Sequence, residues 1–101
     1  MPIAFSSRVV VAPDVLFRLV GGEGVLVNLN TEQYLGVNAV GARMWAALRD
    51  AESIQLAYDV LLDEYEVPPA ELRADLEEFI GRLLEQQLIE MRTPDTRPRG
   101  A

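Results

Sequence analysis

The sequence predicts an α+β domain of winged-helix-like form, in which an N-terminal three-stranded antiparallel sheet packs on three helices. Two observations lead to this class. Segments rich in β-branched and apolar residues, separated by turn residues, occupy residues 15–37. Three runs with apolar residues at helical spacing then follow between residues 39 and 87. Short strands followed by short helices, with brief connections, favour a sheet lying against a helical bundle, with the hairpin as the wing.

Length and composition are those of one globular domain. The chain has 101 residues, half of them hydrophobic and a quarter charged. Folding should bury roughly 60 to 65% of the extended-chain surface. There is no apolar run of the ~18 residues that a membrane span needs, and residues 1–12 lack the long apolar core of a signal peptide. We therefore predict a cytoplasmic protein with no membrane partner.

The strands are predicted from alternation and turn residues. Val15–Val20 and Val25–Asn30 form a hairpin around the glycine-rich turn Gly21–Gly24. A second turn leads into a third strand, Gln33–Val37. Alternation in the return strand predicts that one set of side chains faces the core, namely Val25, Val27 and Leu29, while Leu26, Asn28 and Asn30 lie half exposed.

The helices are predicted from their caps and apolar stripes. Asn38 is placed to cap a helix over residues 39–49, and Ser53 to cap a second. Pro69 suits the first position of a third helix ending near Gln87. The apolar stripes of the first and third helices are Val40, Met44, Trp45 and Leu48, and Leu72, Leu76, Phe79, Ile80, Leu83 and Leu84. Trp45 in particular is predicted to lie in the core.

Both ends of the chain differ in character from the middle. Residues 1–13 are predicted to form an N-terminal arm or extra strand, whose partner the sequence does not reveal. Residues 14–91 form the domain proper, closing in a short strand or extended segment at residues 88–91. Residues 92–101, rich in arginine and proline, are predicted to be disordered. An arm that exchanged between protomers would give a homodimer.

The residue types that are missing restrict the chemistry. The chain has no cysteine and no histidine, and all nine of its basic residues are arginine. This removes thiolate nucleophiles, Cys/His zinc sites, histidine bases and lysine Schiff bases. Carboxylates could still hold Mg²⁺ or act as an acid and base pair. The sequence nevertheless predicts a protein that is not an enzyme and needs no metal or cofactor.

The charge is acidic and uneven. The net charge is −7, and the segment from Asp50 to Glu90 holds twelve acids against Arg73 and Arg82, which gives −10. Because nucleic-acid binding draws on basic patches, this surface predicts no nucleic-acid partner. Solvated helix faces would also account for these acids, and both interpretations disfavour a nucleic-acid partner.

One stretch carries a family resemblance. From Val25 to Trp45 the chain has a return strand ending in Leu29-Asn30, a turn, a strand with Tyr34, then Asn38 and a helix with a glycine and Trp45. In order and spacing, residues 14–91 resemble the PqqD-like family, the RiPP recognition elements. The resemblance implies a non-catalytic domain that binds the leader segment of a ribosomally made precursor peptide. It would present that leader to a modifying enzyme or protease of the same pathway, such as one making a lasso peptide or a quinone cofactor.

The resemblance also implies where the leader binds: as an added strand beside the third strand, in a cleft with the third helix. The third strand is an edge without proline or lysine, and Gly36 would let a ligand backbone approach closely. Phe79 would floor a pocket, with Asp75, Glu78 and Arg82 at its rim. The predicted peptide-binding residues are Gln33, Tyr34, Leu35, Gly36, Val37, Asp75, Leu76, Phe79 and Arg82.

Two alternatives stay open at this point. The strand edge could be covered by the N-terminal arm or by another subunit. A winged-helix transcription regulator, or a structural subunit that binds a folded partner, would have a similar pattern of strands and helices. The acidic third helix disfavours the regulator.

Overall fold

The structure, a computed structural model, describes residues 3–92. The predicted disordered tail, apart from Arg92, lies outside the described residues. The elements in chain order are β1 (Arg8–Val11), β2 (Val15–Val20), β3 (Glu23–Asn28), β4 (Gln33–Val37), α1 (Ala39–Asp50), α2 (Ile54–Glu64), α3 (Pro69–Glu85) and β5 (Ile89–Arg92).

The strands form two antiparallel sheets. One is the meander β2-β3-β4, and the other pairs β1 with β5. The α+β class with a three-stranded antiparallel sheet and three helices is therefore confirmed. The second sheet was predicted only in part: the sequence indicated an N-terminal strand but not its partner, which is β5. The winged-helix arrangement stays a prediction.

The hairpin turn is shorter than predicted. Gly21 and Gly22 have φ of 59° and 86°, and Val20 pairs with Glu23. Two consecutive residues with positive φ make the two-residue turn that matches the twist of paired strands, and glycine adopts it without strain. The return strand therefore starts at Glu23, two residues earlier than the prediction.

The predicted facing of the return strand was wrong. Leu26 and Asn28 are the inward residues, with exposed fractions of 0% and 4%, whereas Val25 is 36% exposed and Leu29 57%. Alternation holds, but its phase is reversed. The prediction placed the apolar set inward, and it failed because the buried position is held by an asparagine whose polar atoms all find partners.

Asn28 joins the sheet to the end of α3. Its side-chain amide donates a hydrogen bond of 2.6 Å to the carbonyl of Gln87. Its carbonyl Oδ1 accepts from the backbone N–H groups of Asn30 at 2.9 Å and Thr31 at 3.1 Å. A buried amide is tolerated when its donors and acceptors are paired. Asn28 therefore shapes the turn before β4 and fixes the sheet against the helix.

Gly24 is the tightest glycine in the sheet. A Cβ placed on it would lie 2.5 Å from Cε1 of Phe17 and 3.0 Å from Cγ2 of Val37. Phe17 cannot easily retreat, since its ring packs against Trp45 with centroids 6.1 Å apart. Because Gly24 has no side chain, the inward side chains of Phe17 on β2 and Val37 on β4 can both lie over β3 at this point.

We expect Gly24→Ala to lower the free energy of unfolding by about 1 to 3 kcal/mol, because the added methyl group forces the Phe17 ring to move. Urea unfolding followed by circular dichroism would measure it. Gly36→Ala is the matched control, since a Cβ there meets no atom within 4 Å. Equal stability of the two variants would contradict the packing described for Gly24.

The predicted caps are confirmed. Oδ1 of Asn38 accepts from the N–H of Gly41 at 2.8 Å, and Oγ of Ser53 accepts from the N–H of Leu56 at 3.1 Å. Pro69 is the first residue of α3. Helix ends differ slightly from prediction, α1 by one residue and α3 by two.

The core lies between the sheets and the helices. Trp45 is 2% exposed, which confirms its predicted core position, but Val40 is 44% exposed and was wrongly assigned to the core. Val40 lies on the side of α1 that borders an open cleft with α3. The fully buried large side chains are Trp45, Leu26, Leu48, Ile54, Leu61, Leu76, Ile80, Leu83 and Leu88.

The N-terminal arm is part of the same core. Beyond the β1–β5 pairing, the carbonyls of Phe5 and Ser7 each accept a 2.8 Å hydrogen bond, from the N–H groups of Gln55 and Ile54. Phe5 is 6% exposed. These bonds satisfy N–H groups that the start of α2 would otherwise leave free. The described part of the arm, residues 3–13, therefore lies against α2 and β5 and does not cover β4.

Arg43 and Glu64 tie α1 to α2 at the surface through a two-point ion pair, with Nε donating to Oε1 at 2.8 Å. The hydrogen bond to Glu64 raises the pKa of Arg43 above its ordinary value. Since both side chains are more than a third exposed, solvent screens the pair, and its net contribution is below about 1 kcal/mol.

Candidate functional site

The outer edge of β4 carries free backbone hydrogen-bonding groups. In the described residues no strand lies beyond β4, since the sheet order ends there. The N–H of Leu29 donates to the carbonyl of Asp14, so these two residues form a hydrogen-bonded pair. This pair sets which residues of β3 direct their backbone N–H and C=O groups toward β2 and which direct them toward β4. Alternation along the ladder then directs the backbone N–H and C=O groups of Gln33, Leu35 and Val37 toward β3. Tyr34 and Gly36 therefore present their N–H and C=O groups outward.

The side chains of β4 alternate between the outer, exposed face of the sheet and the inner face that packs on the core. Tyr34 is 69% exposed on the outer face of the sheet, whereas Leu35 and Val37 are partly buried against the core. Gly36 has no atom within 4 Å of the position a Cβ would take. This edge is short, contains no proline or lysine and has open space beside Gly36, which suits strand addition.

A cleft runs alongside this edge between the start of α1 and α3. It consists of two adjoining cavities of about 220 and 170 Å³. Both are lined by Asn38 and Gly41 from the α1 side and by Phe79 and Arg82 from α3. The smaller cavity reaches Leu35, Gly36 and Val37, so the cleft opens directly onto the β4 edge.

Of the four residues predicted on α3, the structure brings three to the cleft. Asp75, Phe79 and Arg82 line it, together with Glu78. Leu76 does not, because its side chain is turned away into the core and is 0% exposed. One residue further along a helix rotates the side chain by about 100°, which is enough to move Leu76 off the face that carries Asp75. Leu76 is therefore not among the residues that line the cleft.

The floor of the cleft is apolar and its rim is charged. Phe79 is 8% exposed and Met44 is 5% exposed. At the rim, Arg82 lies 3.7 Å from Glu78, and both are well exposed. Among the described residues Asp75 forms no ion pair. The rim therefore has a net negative charge, which favours ligands that are neutral or basic at this point.

Sequence reasoning missed the wall that α1 contributes. Val40 and Met44 were predicted only as part of the apolar stripe of α1, and Asn38 only as its cap, yet all three line the cleft together with Gly41. A signal was present in the sequence. Because only Asn38 separates the end of β4 from the start of α1, the first turn of α1 must lie beside the end of that strand.

Other kinds of site find no support in the described part of the chain. No group of three or more acidic, cysteine or histidine side chains is arranged to hold a metal ion there. Between residues 3 and 92 no helix is long and apolar enough to cross a membrane. What remains is a small α+β domain with a free strand edge opening onto an apolar cleft, the arrangement of a peptide-binding module.

Comparison with known proteins assigns the family. Residues 23–89 match the family described as Coenzyme PQQ synthesis protein D (PqqD), and the chain belongs to this family. The structure of TbiB1 in complex with the TbiA(beta) leader peptide is 30% identical, with a TM-score of 0.72 over 80% of this chain and 94% of that one. No curated protein matches the sequence.

A second solved structure shares the fold. A lasso peptide synthetase B1 complexed with the leader peptide is 21% identical and has a TM-score of 0.69, covering 84% of this chain and 98% of that one. The resemblance to the PqqD-like family inferred from the segment between Val25 and Trp45 is therefore confirmed.

Proposed function

We propose that this protein binds the leader segment of a ribosomally synthesised precursor peptide by strand addition at β4 and presents it to a modifying enzyme. One observation carries the proposal: the free N–H and C=O groups of Tyr34 and Gly36 stand beside a cleft that opens onto the same edge. Two solved proteins of the same fold, one of them 30% identical, are complexes with leader peptides.

In this proposal the backbone of the leader supplies the hydrogen bonds and its side chains supply the specificity. Successive residues of an added strand point to opposite faces of the sheet. Those on the inner face lie next to Leu35 and Val37 and enter the cleft over Phe79 and Met44. Apolar leader residues at alternate positions suit this floor.

The rim adds a charge preference. With Asp75 and Glu78 on one side and Arg82 paired to Glu78, a neutral or basic leader residue is favoured over an acidic one at the mouth of the cleft. Leu76 contributes by supporting α3 from below. The proposed contact set is the predicted one without Leu76 and with Asn38, Val40, Gly41, Met44 and Glu78 added.

The proposed role is that of an adaptor. We place the binding function in residues 14–91, with a modifying enzyme or protease of the same pathway as the second partner. The absence of histidine, cysteine and lysine supports binding over catalysis. The cytoplasmic location stays a prediction.

Titration of fluorescently labelled leader peptides, encoded by short reading frames beside this gene, tests the proposal. We expect one of them to bind with a Kd below about 1 µM, equivalent to roughly −8 kcal/mol, and a scrambled peptide of the same composition to bind at least tenfold more weakly. Equal binding of the true and scrambled leaders would contradict specific recognition. Binding of no candidate would contradict the proposal itself.

A further inference from the structure

The meander has a second free edge, on β2. Among the described residues no strand lies beyond β2, just as none lies beyond β4. The strand reads Val-Leu-Phe-Arg-Leu-Val, six residues with no proline and no lysine. Long apolar edges of this kind are ones that proteins otherwise protect against pairing. We propose that β2 pairs antiparallel with β2 of a second copy, joining two meanders into a six-stranded sheet.

The hydrogen-bonding pattern permits such pairing. Since the carbonyl of Asp14 accepts from β3, alternation turns the backbone groups of Leu16, Arg18 and Val20 toward β3. Val15, Phe17 and Leu19 therefore present theirs outward. In a symmetric antiparallel pair, each residue with outward backbone groups must lie opposite another such residue. Because these residues are every second one along β2, the two-fold axis must pass through a residue position and not between two residues.

Charge and apolar area select one register. Centring on Arg18 would place two guanidinium groups directly opposite each other, and like charges in that position are destabilising. Centring on Phe17 places Phe17 opposite its own copy, Val15 opposite Leu19, and Leu16 opposite Arg18. It also covers Leu19, which is 64% exposed although it is on the inner face of the sheet.

A groove beside this edge accommodates the second copy's side chains. A cavity of about 580 Å³ lies between β2 and α1. It is lined by Phe17, Leu19 and Gly22 on the sheet side and by Ala39, Ala42, Arg43, Ala46 and Arg49 of α1. It shares no lining residue with the cleft beside β4. Inner-face residues of a paired β2 would project on this side of the sheet, where Phe17, Leu19 and the three alanines of the groove offer apolar surface.

The proposed dimer is independent of the leader site. Both β4 edges stay free, at opposite ends of the joined sheet. One strand pair with its flanking side chains is a small interface, below the ~1,200 Å² of stable complexes, so we expect association that depends on protein concentration.

Disulfide trapping tests the register, because the chain has no cysteine of its own. Leu16→Cys and Arg18→Cys are prepared separately, and each is oxidised mildly alone and after mixing. Opposed residues of a strand pair are close enough to bridge. We expect a cross-linked dimer mainly in the mixture, at least fivefold above either variant alone. Cross-linking of Arg18→Cys with itself at the same yield would overturn the register.

Sedimentation of the unmodified chain tests the dimer itself. We expect its average mass to rise toward twice the monomer mass with increasing concentration, and Leu19→Lys to abolish the rise. Val20→Lys is the matched control: Val20 is 68% exposed but points to the outer face and lies beyond the paired segment. A monomer at all concentrations, or equal loss in both variants, would overturn the proposal. Leader binding is measured in a separate titration, so neither outcome of the sedimentation experiment decides the proposed function.

Discussion

Replacing Gly36 by proline should weaken leader binding by about 10- to 100-fold while leaving the domain folded. The N–H of Gly36 points away from β3, so the sheet loses no hydrogen bond when it is removed. A bound leader would lose that donor, worth about 1 kcal/mol, and the proline ring would keep its backbone at a distance. Fluorescence titration measures the affinity, and circular dichroism the fold.

Gly36→Ala separates the backbone effect from the side chain. Its Cβ meets nothing within 4 Å on the outer face, so we expect near-normal stability and binding reduced less than threefold. Leu35→Pro would instead break the β3–β4 ladder, because that N–H points inward. If Gly36→Pro bound the leader as tightly as the unmodified chain, strand addition at β4 would be wrong even if leader binding were real.

Asn28→Ala should produce the largest loss of stability of any single polar substitution, lowering the free energy of unfolding by about 2 to 4 kcal/mol. Alanine removes three hydrogen bonds at once: the one to the carbonyl of Gln87 and the two from the N–H groups of Asn30 and Thr31. It also leaves space at a position that is 4% exposed. Urea unfolding gives the change directly.

Two further variants show which part of Asn28 matters. Asn30→Ala, at an exposed neighbouring position, should change stability by less than about 0.5 kcal/mol. Asn28→Asp keeps the two accepted bonds but sets a carboxylate against the carbonyl of Gln87. We therefore expect it to be at least as unstable as Asn28→Ala at neutral pH. Stability of Asn28→Asp equal to the unmodified chain would show that the Gln87 bond contributes nothing.

The helices and strands could be predicted because their signals are local. Asn38, Ser53 and Pro69 mark helix starts through backbone groups within one turn, and the structure places all three where the sequence did. The boundaries of β2 and β4 were likewise correct. Capping and alternation depend on neighbours in the chain, so a single sequence contains them.

What failed depends on contacts between distant segments. The burial of Asn28 depends on its hydrogen bond to the carbonyl of Gln87, 59 residues away, and no residue near Asn28 in the sequence indicates it. Val40 was misplaced for a related reason: it lies at the margin of the apolar stripe of α1, and only the position of the neighbouring helix decides which side of the stripe is open. Leu76 lies in the middle of the buried stripe of α3, so the cleft borders Phe79 instead. The β4 edge was predicted, whereas the α1 wall of the cleft was missed although the short connection between β4 and α1 indicated it.

The pairing of β1 with β5 has a consequence for how the chain acquires its structure. Arg8 pairs with Arg92 and Val11 with Ile89, so this ladder joins segments about as far apart in sequence as the described chain allows. Contacts of such high sequence separation form slowly because a long loop must close first. During synthesis Phe5 and Val9 must wait until β5 leaves the ribosome. We expect the β1–β5 ladder to be the last part to gain protection in pulsed hydrogen exchange, after the meander and α1.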